Sequence, residues 1–304
     1  MHAYMIIAHR QFDLLAKLIT ALDDERNDIF VHIDAKVRDF DFEKFKVLPK
    51  RSRIYFTPRI GVTWGDFSQV KCELILLAEV DKMQKSGRVY DYVHLISGAD
   101  LPIKSNDEIH RFFNENAGRQ FVHFTADNVS ESSEGRIKYY HLFRRRRNLF
   151  TKILAQIALR VQMLCGVNRL KNTNIKVQKG CNWFSITGEF AAYIAQESER
   201  LKKILRFSYC GDEVFVQTAL LNSPFADDVY MKNCGNNHLA CARLIDWQRG
   251  NPYVFKMQDF DLIKNSPAMF ARKFDMDVDS EIIDKVLQSI KSVSYTHLTL
   301  PTKA

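Results

Sequence analysis

The chain has 304 residues, 46% of them hydrophobic and 26% charged, which excludes a disordered or fibrous polymer and allows a sizeable core. No apolar run approaches the roughly 18 residues that a spanning helix needs, and MHAYMIIAHR has no charged leader, so it reads as a first strand and not a signal peptide. With 44 Lys+Arg against 36 Asp+Glu, the charge of +8 asks for an anionic partner: nucleic acid, a lipid headgroup surface or a phosphorylated substrate.

The first 125 residues alternate strand and helix. The apolar run 3–7 predicts a strand, and Leu15, Leu18, Ile19 and Leu22 follow at helical spacing. Strands are expected at 29–33, 53–56, 92–96 and 120–124. A helix should open near Asp66 or Ser68, and another at the capping box Ser105–Glu108. This alternation predicts an α/β fold with a largely parallel sheet covered by helices. Ligands on such sheets bind beyond the carboxyl ends of the strands, which draws attention to His9, Asp34 and Asp100. Neither a GxGxxG nor a P-loop string occurs.

The middle of the chain carries the basic run Arg144–Arg147 and then the apolar positions Leu149, Phe150, Ile153, Leu154, Ile157, Val161 and Leu164. That pattern fits either a core helix with a solvated end or an element lying on anionic lipid. Aromatic residues are not interleaved with the cations, which argues against nucleic acid. Further on, a strand is expected at 182–186, helices at 188–195 and 212–221, an extended stretch at 239–245 and a closing helix at 281–291. No Gly-, Pro- or Ser-rich linker divides the chain, so one domain over residues 1–291 is expected. Residues 292–304 (SVSYTHLTLPTKA) resemble translated vector read-through and are expected to lie outside the fold.

Six cysteines lie scattered, with no CxxC pair. They predict neither a zinc knuckle nor a disulfide framework, but reduced, mostly buried thiols in a cytoplasmic protein. The string Gly211-Asp212-Glu213 places two carboxylates in the first turn of a helix, where the macrodipole favours the ionised form. A general base needs that state, and a simple helix cap uses the same residues. Arg243 is a lone cation in an apolar strand, and Arg272 and Lys273 stand between phenylalanines; each fits a structural ion pair or a ligand phosphate. Asp39-Phe-Asp41, Asp259-Phe-Asp261 and Asp275-Met-Asp277 have the spacing to hold a divalent ion on a diphosphate, but none ends a convincing strand of the sheet. His32 and His94 lie within strands and read as core histidines.

Eight segments in one order carry a resemblance: AYMIIAHRQFDLLAKLITAL, FVHIDAK, VTWGDFSQVKCELILL, YVHLISGADLPIKSNDEI, GCNWFSIT, SYCGDEVFVQT, RLIDWQRGNPYVF and FARKFD. The chain resembles the core-2/I-branching beta-1,6-N-acetylglucosaminyltransferase family, glycosyltransferase family 14, which also holds the peptide-O-xylosyltransferases. The resemblance implies a GT-A-like nucleotide-sugar fold and inverting, metal-independent transfer from a UDP-sugar, with GlcNAc or xylose as the sugar. It implies Glu213 as catalytic base, with Arg243 and Lys273 on the donor diphosphate in place of a metal. Ile7, Ala8, His9, Asp34, Ala35 and Lys36 would contact the nucleoside, and Arg136 the acceptor. No cofactor is implied beyond the donor substrate.

The animal members' membrane anchor, stem and disulfide pattern are not seen here. That departure fits a bacterial cytoplasmic enzyme of surface-polysaccharide synthesis, with peripheral contact at the inner face of the membrane and a glycan or lipid-linked acceptor. The competing expectations are a metal-dependent transferase using an Asp-x-Asp string, and a non-catalytic basic protein that binds nucleic acid.

Overall fold

The computed structural model describes residues 1–125, 130–143 and 148–296. β1 (His2–Ala8) feeds α1 (Phe12–Ala21), whose Leu14, Leu15, Leu18 and Ile19 are buried as their spacing requires. β2 (Asn27–Ile33) is followed by α2 (Phe42–Lys46), capped by the Asp41 carboxylate, and by β3 (Arg53–Phe56). α3 (Ser68–Lys85) leads to β4 (Tyr92–Ser97), the short β5 (Leu101–Pro102) and α4 (Asn106–Glu115). α4 opens on the reciprocal Ser105–Glu108 box. β6 (Phe121–Val122), α5 (Ser130–Lys138) and α6 (Leu149–Leu164) come next. β7 (Phe184–Thr187) then runs into α7 (Gly188–Gln196), α8 (Ser198–Leu205) and α9 (Asp212–Leu221). Last come β8 (Arg243–Ile245), α10 (Phe260–Asn265), β9 (Phe270–Arg272) and α11 (Ser280–Thr296).

Six strands form one mixed sheet in the order β3-β2-β1-β4-β7-β6. β3, β2, β1 and β4 are parallel, β7 runs antiparallel to β4, and β6 at the edge is antiparallel to β7 and so returns to the common direction. In this register Ala8 lies opposite Ile33, and Ile7 opposite Ser97, so the carboxyl ends of β1, β2 and β4 meet along one edge. Strand alternation sends Tyr4, Ile6 and Ala8 to a core shared with α1, α4 and α11. Ala3 and Met5 face a second core built with α3, α7 and α9. The chain is thus helix–sheet–helix in layers, as the parallel strands demand.

A second sheet, in the order β5-β9-β8, brings residues near 243 and 272 beside the loop after β4. It was not expected, because strands of two or three residues show no periodicity. The stretch expected to be extended over 239–245 begins instead as a 3-10 turn (His238–Cys241), since the Asn237 side chain accepts from the Leu239 N–H. The strand expected at 120–124 is confined to Phe121–Val122. The closing helix runs past Lys291 to Thr296; residues 297–304 of the expected tail, and Arg144–Arg147, lie outside the described residues. Among the described residues no helix is long and apolar enough to cross a membrane.

Candidate active site

Glu213 stands in the first turn of α9, its side chain about a third exposed. Its Oε2 lies 3.0 Å from the Arg136 guanidinium and 3.4 Å from Lys179 Nζ, so two cations fix the carboxylate. Arg136 is itself anchored by donating to the Cys210 carbonyl. The Gly180 N–H donates to the Glu213 carbonyl, which ties the segment 179–183 to the helix start. Position 180 requires glycine: a Cβ there would lie 1.8 Å from the His123 carbonyl oxygen.

Asp212 departs from the ionised state expected for both first-turn carboxylates. Burial, with the Glu213 charge behind it, pushes its pKa up to about 7. The desolvation cost exceeds the favourable field of the helix terminus. One oxygen accepts from Gln69 Nε2 at 2.8 Å, and the other is buried without a hydrogen bond. Beneath it the fully buried Glu73 is likewise held well above the ordinary carboxylate range by desolvation and by Asp212.

The segment that begins at Gly180 ends on Trp183, whose ring stacks 4.0 Å from the Arg272 guanidinium. Gly180 and Trp183 are separated by no more than roughly 10 Å of extended chain. Arg272 lies 3.6 Å from the buried Asp100, and its Nε and Nη1 are buried without hydrogen-bond partners. Next to it, Lys273 Nζ has no hydrogen bond or ion pair among the described residues. Burial first, then the charges of Arg10 and Arg272, hold its pKa below the usual lysine range. Two cations with N–H donors that make no hydrogen bond among the described residues therefore meet beside the loop after β4.

Arg243 does not fit the donor role expected of it. It is 2% exposed, and its guanidinium donates to Ser185 Oγ and to the carbonyls of Cys241, Leu95 and Phe184, with the Phe270 ring 4.6 Å away. β8 runs parallel to β9 with Arg243 opposite Phe270, and this directs the side chain into the junction of the two sheets. A buried cation there is stabilised by carbonyl dipoles, which leaves few donors for a phosphate. Sequence reasoning named Arg272 without giving it the role; the signal available was its adjacency to Lys273.

Ile7, Ala8 and His9 occupy the end of β1, and Asp34, Ala35 and Lys36 the loop after β2. The Asp34 N–H donates to the Ala8 carbonyl, joining the two groups. The buried Asp34 carboxylate accepts from the N–H groups of Lys36 and Val62. His9 is exposed; burial of its ring first, then Arg10, with Lys273 and Lys36 adding, lowers its pKa, so the strand edge and the Lys273 cation share one region. Arg10 and Gln11 reach across to Asp275, and Gln11 to Asp277. Asp41 caps α2, and Asp259 pairs with Arg249. Each Asp-x-Asp string thus has at least one carboxylate already occupied.

A carboxylate on one side and two open cations on the other, along the carboxyl edge of an α/β sheet, suit a transferase acting on a phosphorylated donor. Residues 2–265 match the family model described as Core-2/I-Branching enzyme. Xylosyltransferase 2 of Canis lupus familiaris is 24% identical over 298 residues, covering 93% of this chain and 33% of that protein. Xylosyltransferase 1 of Homo sapiens is 25% identical over 300 residues, covering 93% of this chain and 30% of its own length. The chain therefore spans about a third of the length of these relatives. Among solved structures, the apo form of mouse xyloside xylosyltransferase 1 aligns over 89% of this chain and 96% of its own, with 11% identity and a TM-score of 0.37. The chain belongs to the Core-2/I-branching enzyme family of glycosyltransferases.

Proposed function

We propose that this glycosyltransferase moves GlcNAc or xylose from a UDP donor to an acceptor hydroxyl, with inversion and without a metal on the diphosphate. The observation that carries the reading is the pair Arg272–Lys273, two cations with open donors at the strand edge where a nucleotide would lie. They stabilise the negative charge that grows on the departing diphosphate, the task a metal performs elsewhere. Glu213 takes the proton from the acceptor hydroxyl as it attacks, and Arg136 and Lys179 hold that carboxylate in position. Trp64, 56% exposed and edge-on to Tyr209, offers an apolar face for the acceptor sugar. Glu213→Gln is expected to lower transfer by roughly a hundredfold or more and to leave UDP affinity unchanged. Added Mg²⁺ or Mn²⁺ should not tighten UDP. A variant that keeps about a tenth of the wild-type rate, or UDP binding that needs the divalent ion, overturns the assignment.

We further propose that the acceptor is lipid-linked and met at an anionic membrane, in the synthesis of surface polysaccharide. α6 supports this: none of its residues is buried, and Leu149, Phe150, Ile153, Ile157 and Leu164 are exposed beside the exposed cations Lys152 and Arg160. An apolar face flanked by cations is what an anionic headgroup surface attracts.

A further inference from the structure

We propose that Cys181, His238 and Cys241 form a binding site for one soft divalent cation of the zinc class, separate from the donor diphosphate. Their ligand atoms, one ring nitrogen and two sulfurs, all lie within 4.8 Å of one another. Zinc takes sulfur at about 2.3 Å and imidazole nitrogen at about 2.0–2.1 Å, so three ligands of a tetrahedral site stand roughly 3.5–4 Å apart. Two thiols and one imidazole are also the donor set that favours zinc over magnesium or calcium.

The backbone presents the three residues from two directions. His238 and Cys241 open and close a single 3-10 turn, so both belong to one rigid element. Cys181 arrives on the segment between Gly180, which is bonded to Glu213, and Trp183, which stacks on Arg272. A second observation points to a ligand: His238 Nδ1 is buried and makes no hydrogen bond among the described residues. Ion binding displaces the thiol protons to solvent and leaves thiolate ligands. His238 also lines an open groove of about 660 Å³. An ion at this place clasps the segment carrying Trp183 to the turn that precedes β8.

Cobalt(II) is the probe. The reduced full chain is expected to take up one equivalent and to show thiolate-to-cobalt charge-transfer absorption, which zinc then abolishes by displacement. Cys181→Ser and Cys241→Ser should each lose that absorption and His238→Ala should weaken it, while Cys165→Ser, at an exposed thiol, should keep it. Zinc should also raise the Tm of the wild-type chain. Wild-type protein without the charge-transfer band at stoichiometric cobalt overturns the site, a result that needs no variant to fold. The same band in folded Cys181→Ser or Cys241→Ser, or a Cys181–Cys241 disulfide in the peptide map of protein purified under reducing conditions, does so as well.

Discussion

At the scale of single residues, two arginines on neighbouring strands exchange the parts that their sequence contexts suggest. Arg243 meets four acceptors and has only its Nε without a hydrogen bond, whereas both Nε and Nη1 of Arg272 make none. Arg272→Ala is expected to weaken UDP binding about tenfold or more, the worth of a charge-assisted hydrogen bond, and to lower stability less than Arg243→Ala does, through the lost Asp100 and Trp183 contacts. Arg243→Ala should instead cost about 3 kcal/mol or more of stability, because buried acceptors lose their shared donor. UDP titration together with urea denaturation separates the two. An Arg243→Ala protein of normal stability and poor UDP affinity would return the donor role to Arg243.

Asp212 allows a second test at this scale. Its folded pKa, about 7, lies above its ordinary value of 3.8, so the folded state binds the extra proton and stability is lost as pH rises toward 7. Asn at this position does not ionise. Asp212→Asn should therefore gain about 2–3 kcal/mol more, relative to wild type, at pH 8 than at pH 5. Equal differences at the two pH values would show that the carboxyl ionises freely in the folded chain.

At the scale of elements, local rules hold wherever the determining residues lie within one turn. The Ser105–Glu108 box and the buried stripe of α1 are present where the sequence places them. α6 shows the limit of that reading, since its apolar positions fit a core helix equally well and only the tertiary structure leaves them exposed. Replacing Phe150, Ile153 and Ile157 together by Ser is expected to abolish co-sedimentation with anionic vesicles and leave soluble transfer intact. Wild-type binding should also fall with added salt, because each nearby cation contributes about 1 kcal/mol of screened attraction. Equal pelleting of wild type and variant, or of wild type with neutral and anionic vesicles, would refute the membrane contact.

At the scale of the whole molecule, the parallel register buries charge-bearing groups from distant segments against each other. His2, from β1, lies 3.1 Å from the His94 ring of β4 and stacks on His110 of α4 at 3.9 Å, and burial lowers all three pKa values. A histidine held down in the folded state is protonated first in the unfolded chain, so stability falls as pH drops below 6.5. For His110, lowered to about 4, the loss by pH 5 is about 2 kcal/mol. Asp212 titrates with the opposite sign over the same range, so the two partly cancel in the wild type. His110→Gln should thus be less destabilising at pH 5 than at pH 7.5, by about 2 kcal/mol in urea unfolding. A penalty that does not change with pH would mean that His110 titrates normally in the fold.

The sequence by itself determined the order of the main strands and helices, their caps, and the set of segments that mark the family. Those features depend on residues a few positions apart, where periodicity and capping chemistry are visible. It also placed Glu213 at the start of a helix and Lys273 after a short apolar run. Only the tertiary structure decided how many acceptors each arginine meets, that burial raises the pKa of Asp212, and that Cys181 meets His238 and Cys241. Those outcomes depend on desolvation and on partners brought together by sheet register from segments distant along the chain. No spacing within a single segment encodes them.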